Sequence, residues 1–233
     1  MDAAQVMAAL QQMASAEDAR QLARFFKTGV GQYGEGDQFI GVRVPQQRRI
    51  ARSFAELPLT EIAILLQSAV HEHRLTALLI LLHHYQSSRQ AEQKRSVVDF
   101  YRLHLHRVNS WDLVDLSAPK LLGDHLLHHP AERVLLQQLI GSPVLWLRRV
   151  AILATWPIFK AGEFAEIIDL STKLLTDPHD LMHKATGWML RELGKVDPAR
   201  LHLFLQQHAP QMPRTMLRYA IERLPAEQKQ YYK

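Results

Sequence analysis

Three short segments pair a tryptophan with charged residues. In Val108-Asn109-Ser110-Trp111-Asp112-Leu113-Val114-Asp115, the last aspartate follows the tryptophan by four positions. On a helix this puts indole and carboxylate on one face. The ordinary structural alternative is a core tryptophan beside a surface aspartate. Asn109 can cap such a helix, with Asp112 in a capping-box position. In Ser142-Pro143-Val144-Leu145-Trp146-Leu147-Arg148-Arg149, two arginines sit in an otherwise apolar stretch. Successive helical residues point about 100° apart, so one guanidinium can pair internally while the other reaches solvent or a phosphate. In the segment from Asp180 to Glu192, Trp188 follows Gly187 in mid-helix. A glycine there costs about 1 kcal/mol, which close approach of another backbone would explain. Ordinary packing would make Trp188 a core residue and Lys184, Arg191 and Glu192 a solvated face.

Other chemistries lack their residues. The chain has no cysteine, which excludes disulfides, thiolate metal sites and a cysteine nucleophile. His179 and His183 are one turn apart beside Asp180, but there is no His-Glu-x-x-His signature and no third ligand, so no metal site is expected. The remaining histidine pairs (His83-His84, His104 and His106, His128-His129) fit helix ends and surfaces. The glycines between Gly29 and Gly41 match neither phosphate-loop nor dinucleotide spacing, and no nucleophile-elbow serine is present. No cofactor is expected.

The elements that must carry these segments are helical. Leu75, Leu78, Leu79 and Leu82 repeat with helical spacing, as do Leu147, Val150, Ala151 and Ala154. Helices are predicted over 3–14, 17–28, 46–56, 60–70, 72–86, 89–107, 110–116, 118–129, 131–140, 144–160, 163–175, 179–194, 198–208, 213–223 and 226–232. Most prolines fall at helix starts, where a missing N–H is harmless. Apolar residues make up 47% and charged ones 22%, a globular profile with a sizeable core. No apolar run approaches the roughly 20 residues of a membrane span, and Met1-Asp2-Ala3-Ala4-Gln5 is no signal peptide. A cytosolic all-α protein, one domain over 1–233, is the expectation.

Arg74, Arg148 and Lys184 each precede a small residue by three positions, at spacings of 74 and 36 residues. A period in the high thirties built of helix pairs points to an α-solenoid of the HEAT or armadillo kind, whose inner helices line a concave face. The net charge of +5 is modest, and it becomes a nucleic-acid signal only if arginines such as Arg43, Arg48, Arg49, Arg52, Arg148 and Arg149 gather on that face.

The ordered motifs resemble the bacterial HEAT-like-repeat DNA alkylation-repair glycosylases, the AlkD family. The matching residues are Ser110-Trp111-Asp112-x-Val114-Asp115, then Pro119-x-x-Leu122-Gly123, then Trp146-Leu147-x-Arg149-x-Ala151-Ile152-Leu153, then Lys184-Ala185-x-Gly187-Trp188-x-Leu190-Arg191-Glu192. Upstream, Gly41-Val42-Arg43-Val44-Pro45-x-x-Arg48-Arg49 looks like the family's N-terminal repeat junction. The likeness runs over about residues 20 to 225.

The resemblance implies a right-handed solenoid holding duplex DNA in a basic cleft. It implies excision of N3- or N7-alkylated purines without flipping the base, with Trp111, Asp115 and Trp188 at the lesion. Arg149 would contact the DNA backbone; Arg148, Arg43, Arg48, Lys184 and Phe25 complete the expected DNA-binding set. Such a protein would act as a monomer on duplex DNA containing alkylated bases, in the cytoplasm and on the nucleoid. An alkylated purine is cationic and leaves as a neutral base, so no general acid is needed, unlike sugar hydrolysis with its two carboxylates. One carboxylate can stabilise the oxocarbenium-like transition state, and indole faces attract the cation. The early Leu22-Ala23-Arg24-Phe25 has a phenyl ring where the family's best-known type has a tyrosine. A DNA-structure-binding solenoid without excision, and a protein-interaction scaffold, are the alternatives.

Overall fold

Periodic apolar sequence becomes helix throughout the computed structural model, which describes residues 1–232. Among these there is no strand, and one isolated parallel bridge joins Gln38 to Val70. No helix of the described residues is long and apolar enough to cross a membrane. The chain divides into two compact units, Met1–Ser117 and a second beginning at Ala118.

The first unit holds α1 (Ala3–Gln11), α2 (Ala16–Phe25), α3 (Val44–Ser53), α4 (Leu59–Gln67), α5 (His71–Ser87), α6 (Ala91–Leu103) and α7 (Trp111–Ser117). Its centre is α5, which packs on α1, α3, α4, α6 and α7. Every residue from His71 to Leu82 is buried. A helix buried on all sides shows no amphipathic stripe. Its first turn is therefore unusual, because His71, Glu72, His73 and Arg74 are ionisable.

The second unit opens with a π-turn (Pro119–Gly123), followed by α8 (Asp124–His128), α9 (Val134–Ile140), α10 (Leu145–Ala154), α11 (Trp156–Lys160), α12 (Ala165–Lys173), α13 (Asp180–Val196), α14 (Pro198–His208), α15 (Arg214–Ala220) and α16 (Ala226–Tyr231). Here α13 is central, packed on α10, α11, α12, α14 and α15. The helix predicted over 144–160 is two helices, α10 and α11. Pro157, in the first turn of α11, has no N–H to continue the ladder. The helix predicted over 89–107 stops at Leu103 and resumes as a 3-10 turn, Leu105–Arg107.

Three helices are approached in the same way. Ser68 Oγ accepts from Val70 N (3.1 Å) while its carbonyl accepts from Arg74 Nη1 (2.9 Å). Ser142 Oγ accepts from Val144 N (3.1 Å) while its carbonyl accepts from Arg148 Nη1 (2.9 Å). Asp177 Oδ1 accepts from His179 N (2.9 Å) while its carbonyl accepts from His183 Nε2 (2.6 Å). The basic residue thus caps the turn six positions before it. The third equivalent is His183, not the Lys184 that the sequence pattern aligns.

Glycines mark close approaches. A Cβ on Gly187 would lie 2.4 Å from the Met216 carbonyl oxygen and 2.6 Å from Tyr219 Cβ, both on α15. The tight α13–α15 crossing is therefore the reason for the mid-helix glycine that the sequence singled out. Gly187→Ala gains helix propensity of about 1 kcal/mol but forces the helices apart, which costs about 1–3 kcal/mol. Urea denaturation is expected to show net destabilisation; an unchanged or raised midpoint would mean that the crossing is looser than described.

Candidate functional site

The sequence places Trp111 and Asp115 together, and the first unit shows how. Helix α7 buries Leu113, Val114 and Ser117 and leaves Trp111 and Asp115 half-buried, one turn apart. Its C-terminal end is tied to α6, where the Tyr101 hydroxyl meets Ser117 Oγ at 2.9 Å. Its N-terminal end lacks the expected cap: Asn109 Oδ1 and Ser110 Oγ are buried without hydrogen bonds. Asp112 is not part of a capping box. It accepts from His71 Nε2 at 2.8 Å instead.

Aromatic rings back the indole. Phe26 stacks on Trp111 with centroids 5.2 Å apart and planes 10° from parallel. Phe25 meets it edge-on at 5.8 Å and is itself 64% exposed. Phe39 and His71 lie against Phe26, at 5.0 and 4.8 Å. Sequence reasoning singled out Phe25 but missed Phe26, Phe39 and His71.

His71 sits in a buried ionic network. Its Nδ1 meets Asp37 at 2.9 Å, and Asp37 also accepts from Arg74 Nη2 at 2.7 Å. Burial works against the charged ring, but the Asp112 and Asp37 carboxylates outweigh it and push the His71 pKa up to about 9. Burial would raise the Asp37 carboxyl; hydrogen bonds and charge from His71 and Arg74 hold it below the usual range. Next door, Glu72 accepts from the backbone N–H groups of Ile40 (3.2 Å), Gly41 (2.8 Å) and Val42 (3.3 Å). Gly41 has φ +84°, and a Cβ there would fall 2.1 Å from the Ser15 carbonyl oxygen, so only glycine fits. The glycine-rich segment is thus ordered by the first turn of α5.

Of the other expected DNA contacts in this unit, Arg48 is exposed and Arg43 pairs with Asp18 on the surface.

In the second unit, Trp188 is half-buried on α13 and packs edge-to-face on Trp156, with centroids 5.3 Å apart. Lys160 lies over the Trp156 ring at 5.9 Å. Trp156 was not read from sequence; its place in Thr155-Trp156-Pro157 carries no periodic signal. Lys184 pairs with Asp180 at 2.7 Å. Arg148 donates to Asp177 (2.7 Å) and to the Ser142 and Pro143 carbonyls. Arg149 is buried and donates to the Leu181 carbonyl at 2.7 Å, in the first turn of α13. His179 and His183 serve backbone groups, and among the described residues no cluster of three metal-ligating side chains occurs.

A family model described as DNA alkylation repair enzyme matches residues 6–224. The chain belongs to that family. A solved structure described as a predicted DNA alkylation repair enzyme from Enterococcus faecalis aligns with TM-score 0.73 at 18% identity, covering 92% of this chain and 98% of that one. At that identity the likeness establishes the shared fold. No curated protein matches the chain.

In this family member the buried imidazolium links stability to pH. Below the ordinary histidine pKa of 6.5, folded and unfolded chains both hold the proton and the contribution is complete. As pH rises through about 9 the folded chain loses it too and the contribution is gone. The shift corresponds to on the order of 3 kcal/mol. Denaturation from pH 6 to 10 is expected to show wild type losing about that much more stability than His71→Gln. Parallel curves would contradict the network's role.

Proposed function

We propose that the chain is a monofunctional DNA glycosylase that removes purines alkylated at N3 or N7 from duplex DNA. Its helix pairs serve as HEAT-like repeats of a right-handed solenoid with a basic concave face, acting as a monomer on DNA in the cytoplasm. The observation that carries the proposal is the surface of α7. There a half-exposed indole, backed by Phe26 and edged by exposed Phe25, stands one turn from Asp115.

An N3- or N7-alkylpurine carries positive charge, so its glycosidic bond breaks without protonation of the base. Positive charge then grows on the sugar, where the Asp115 carboxylate stabilises it and orients water. Trp111 and Trp188 offer faces that attract the cation. The base need not be flipped into a pocket, the usual strategy of glycosylases. Arg43, Arg48 and Lys184 supply phosphate contacts; the ion pairs of Arg43 and Lys184 are surface pairs that a phosphate can displace at little cost. Burial of Arg149 against Leu181 supports its acting through α13, the helix that carries Trp188, and Arg148 acts likewise through Asp177.

Single-turnover release of 7-methylguanine from a methylated duplex tests the proposal. Asp115→Asn is expected to slow release by about 100-fold or more, the usual cost of removing such an electrostatic stabiliser, with duplex affinity held within about twofold. Release at the wild-type rate would remove Asp115 from the mechanism. Phe25, without the hydroxyl of the family's tyrosine, favours a second reading: a DNA-structure-binding protein without excision. Wild-type binding to duplex without any base release would establish that one, and absence of both would leave a protein-interaction scaffold.

A further inference from the structure

We propose that His71 is a positioning residue for Trp111, anchored on Asp37 through Nδ1, holding the start of α7 through the Nε2 bond to Asp112 and supporting by ring contact the Phe26 ring behind the indole. Its catalytic consequence rests on the excision proposal above; its geometry does not.

Both partners of His71 are carboxylates, Asp37 at Nδ1 and Asp112 at Nε2. Carboxylates only accept, so both nitrogens must donate and the ring is imidazolium. Asp112 adjoins Trp111, and its other oxygen is buried without a partner. With no side-chain cap at Asn109 or Ser110, the His71 bond is what fixes the side-chain end of α7's first turn. The same ring clusters with Phe39 at 4.7 Å and Phe26 at 4.8 Å, and Phe26 stacks on the indole. One side chain therefore sets the indole from two directions, through the backbone beside it and through the ring beneath it.

The charges around it are Asp37 from the glycine-rich segment, Asp112 from α7, Glu72, His73 and Arg74 from α5, and Arg107 from the 3-10 turn, close enough to interact with Asp37 and Arg74. Burial and Arg74 oppose the proton, Asp112 and Asp37 favour it, and the balance places its loss near pH 9.

Three measurements test this. In protein labelled with nitrogen-15 histidine, both His71 ring nitrogens should carry protons at pH 8; a neutral tautomer there overturns the proposal. The Trp111 emission, taken as wild type minus Trp111→Phe, should shift with a midpoint near pH 9 that matches the His71 titration; constant emission overturns it. In His71→Gln, single-turnover release of 7-methylguanine should fall at least about tenfold while duplex affinity stays within about twofold, as for loss of one orienting contact; unchanged release overturns it. Should that variant fail to fold, the first two measurements decide. Should wild type release no base, the excision proposal fails, and the same two measurements still decide whether His71 positions the indole.

Discussion

Four ionisable side chains occupy the first turn of the most buried helix of the first unit, and a buried charge is tolerated only with partners. His71, Glu72 and Arg74 are 2%, 1% and 1% exposed. Losing one partner of such a pair typically costs about 3–5 kcal/mol. The partners come from outside α5: Asp37 and three backbone N–H groups from the glycine-rich segment, and Asp112 from α7. The requirement therefore orders a segment with little regular structure and fixes the helix that carries Trp111 and Asp115. Fold and candidate site meet in the same few hydrogen bonds.

The second unit has a parallel economy. Arg148 and Arg149 are spent largely on carbonyls and on Asp177 around the first turns of α10 and α13, and Gly187 lets α15 lie against α13 beside Trp188. Indole faces remain partly open in both units while their backing is packed. That suits a protein whose substrate brings its own positive charge. Such a substrate needs a stationary carboxylate and stationary aromatic surfaces more than it needs a proton donor.

Much of this was legible in the sequence. Helical period and proline positions gave the helices, the four-residue step from Trp111 to Asp115 gave a shared face, and the cost of a mid-helix glycine pointed to a close crossing at Gly187. What was hidden is long-range pairing. His71 meets Asp37 and Asp112 from 34 and 41 positions away, so no local spacing announces it. Asn109 has a good capping residue type, yet the capping aspartate was drawn off by His71. The basic repeat was visible, but its register shifted by one residue because His183 rather than Lys184 reaches back to Asp177. Trp156, at the start of α11, meets Trp188 from 32 positions away, so no local spacing announces that contact.

The central claim is that charge on the lesion, not proton donation by the protein, drives base loss. Excision from matched duplexes holding a single 7-methylguanine or a single hypoxanthine tests it most directly, since one base is cationic and the other neutral. The account predicts release of 7-methylguanine and no detectable release of hypoxanthine. Comparable release of both would mean that a group in the protein protonates the leaving base, and would contradict it.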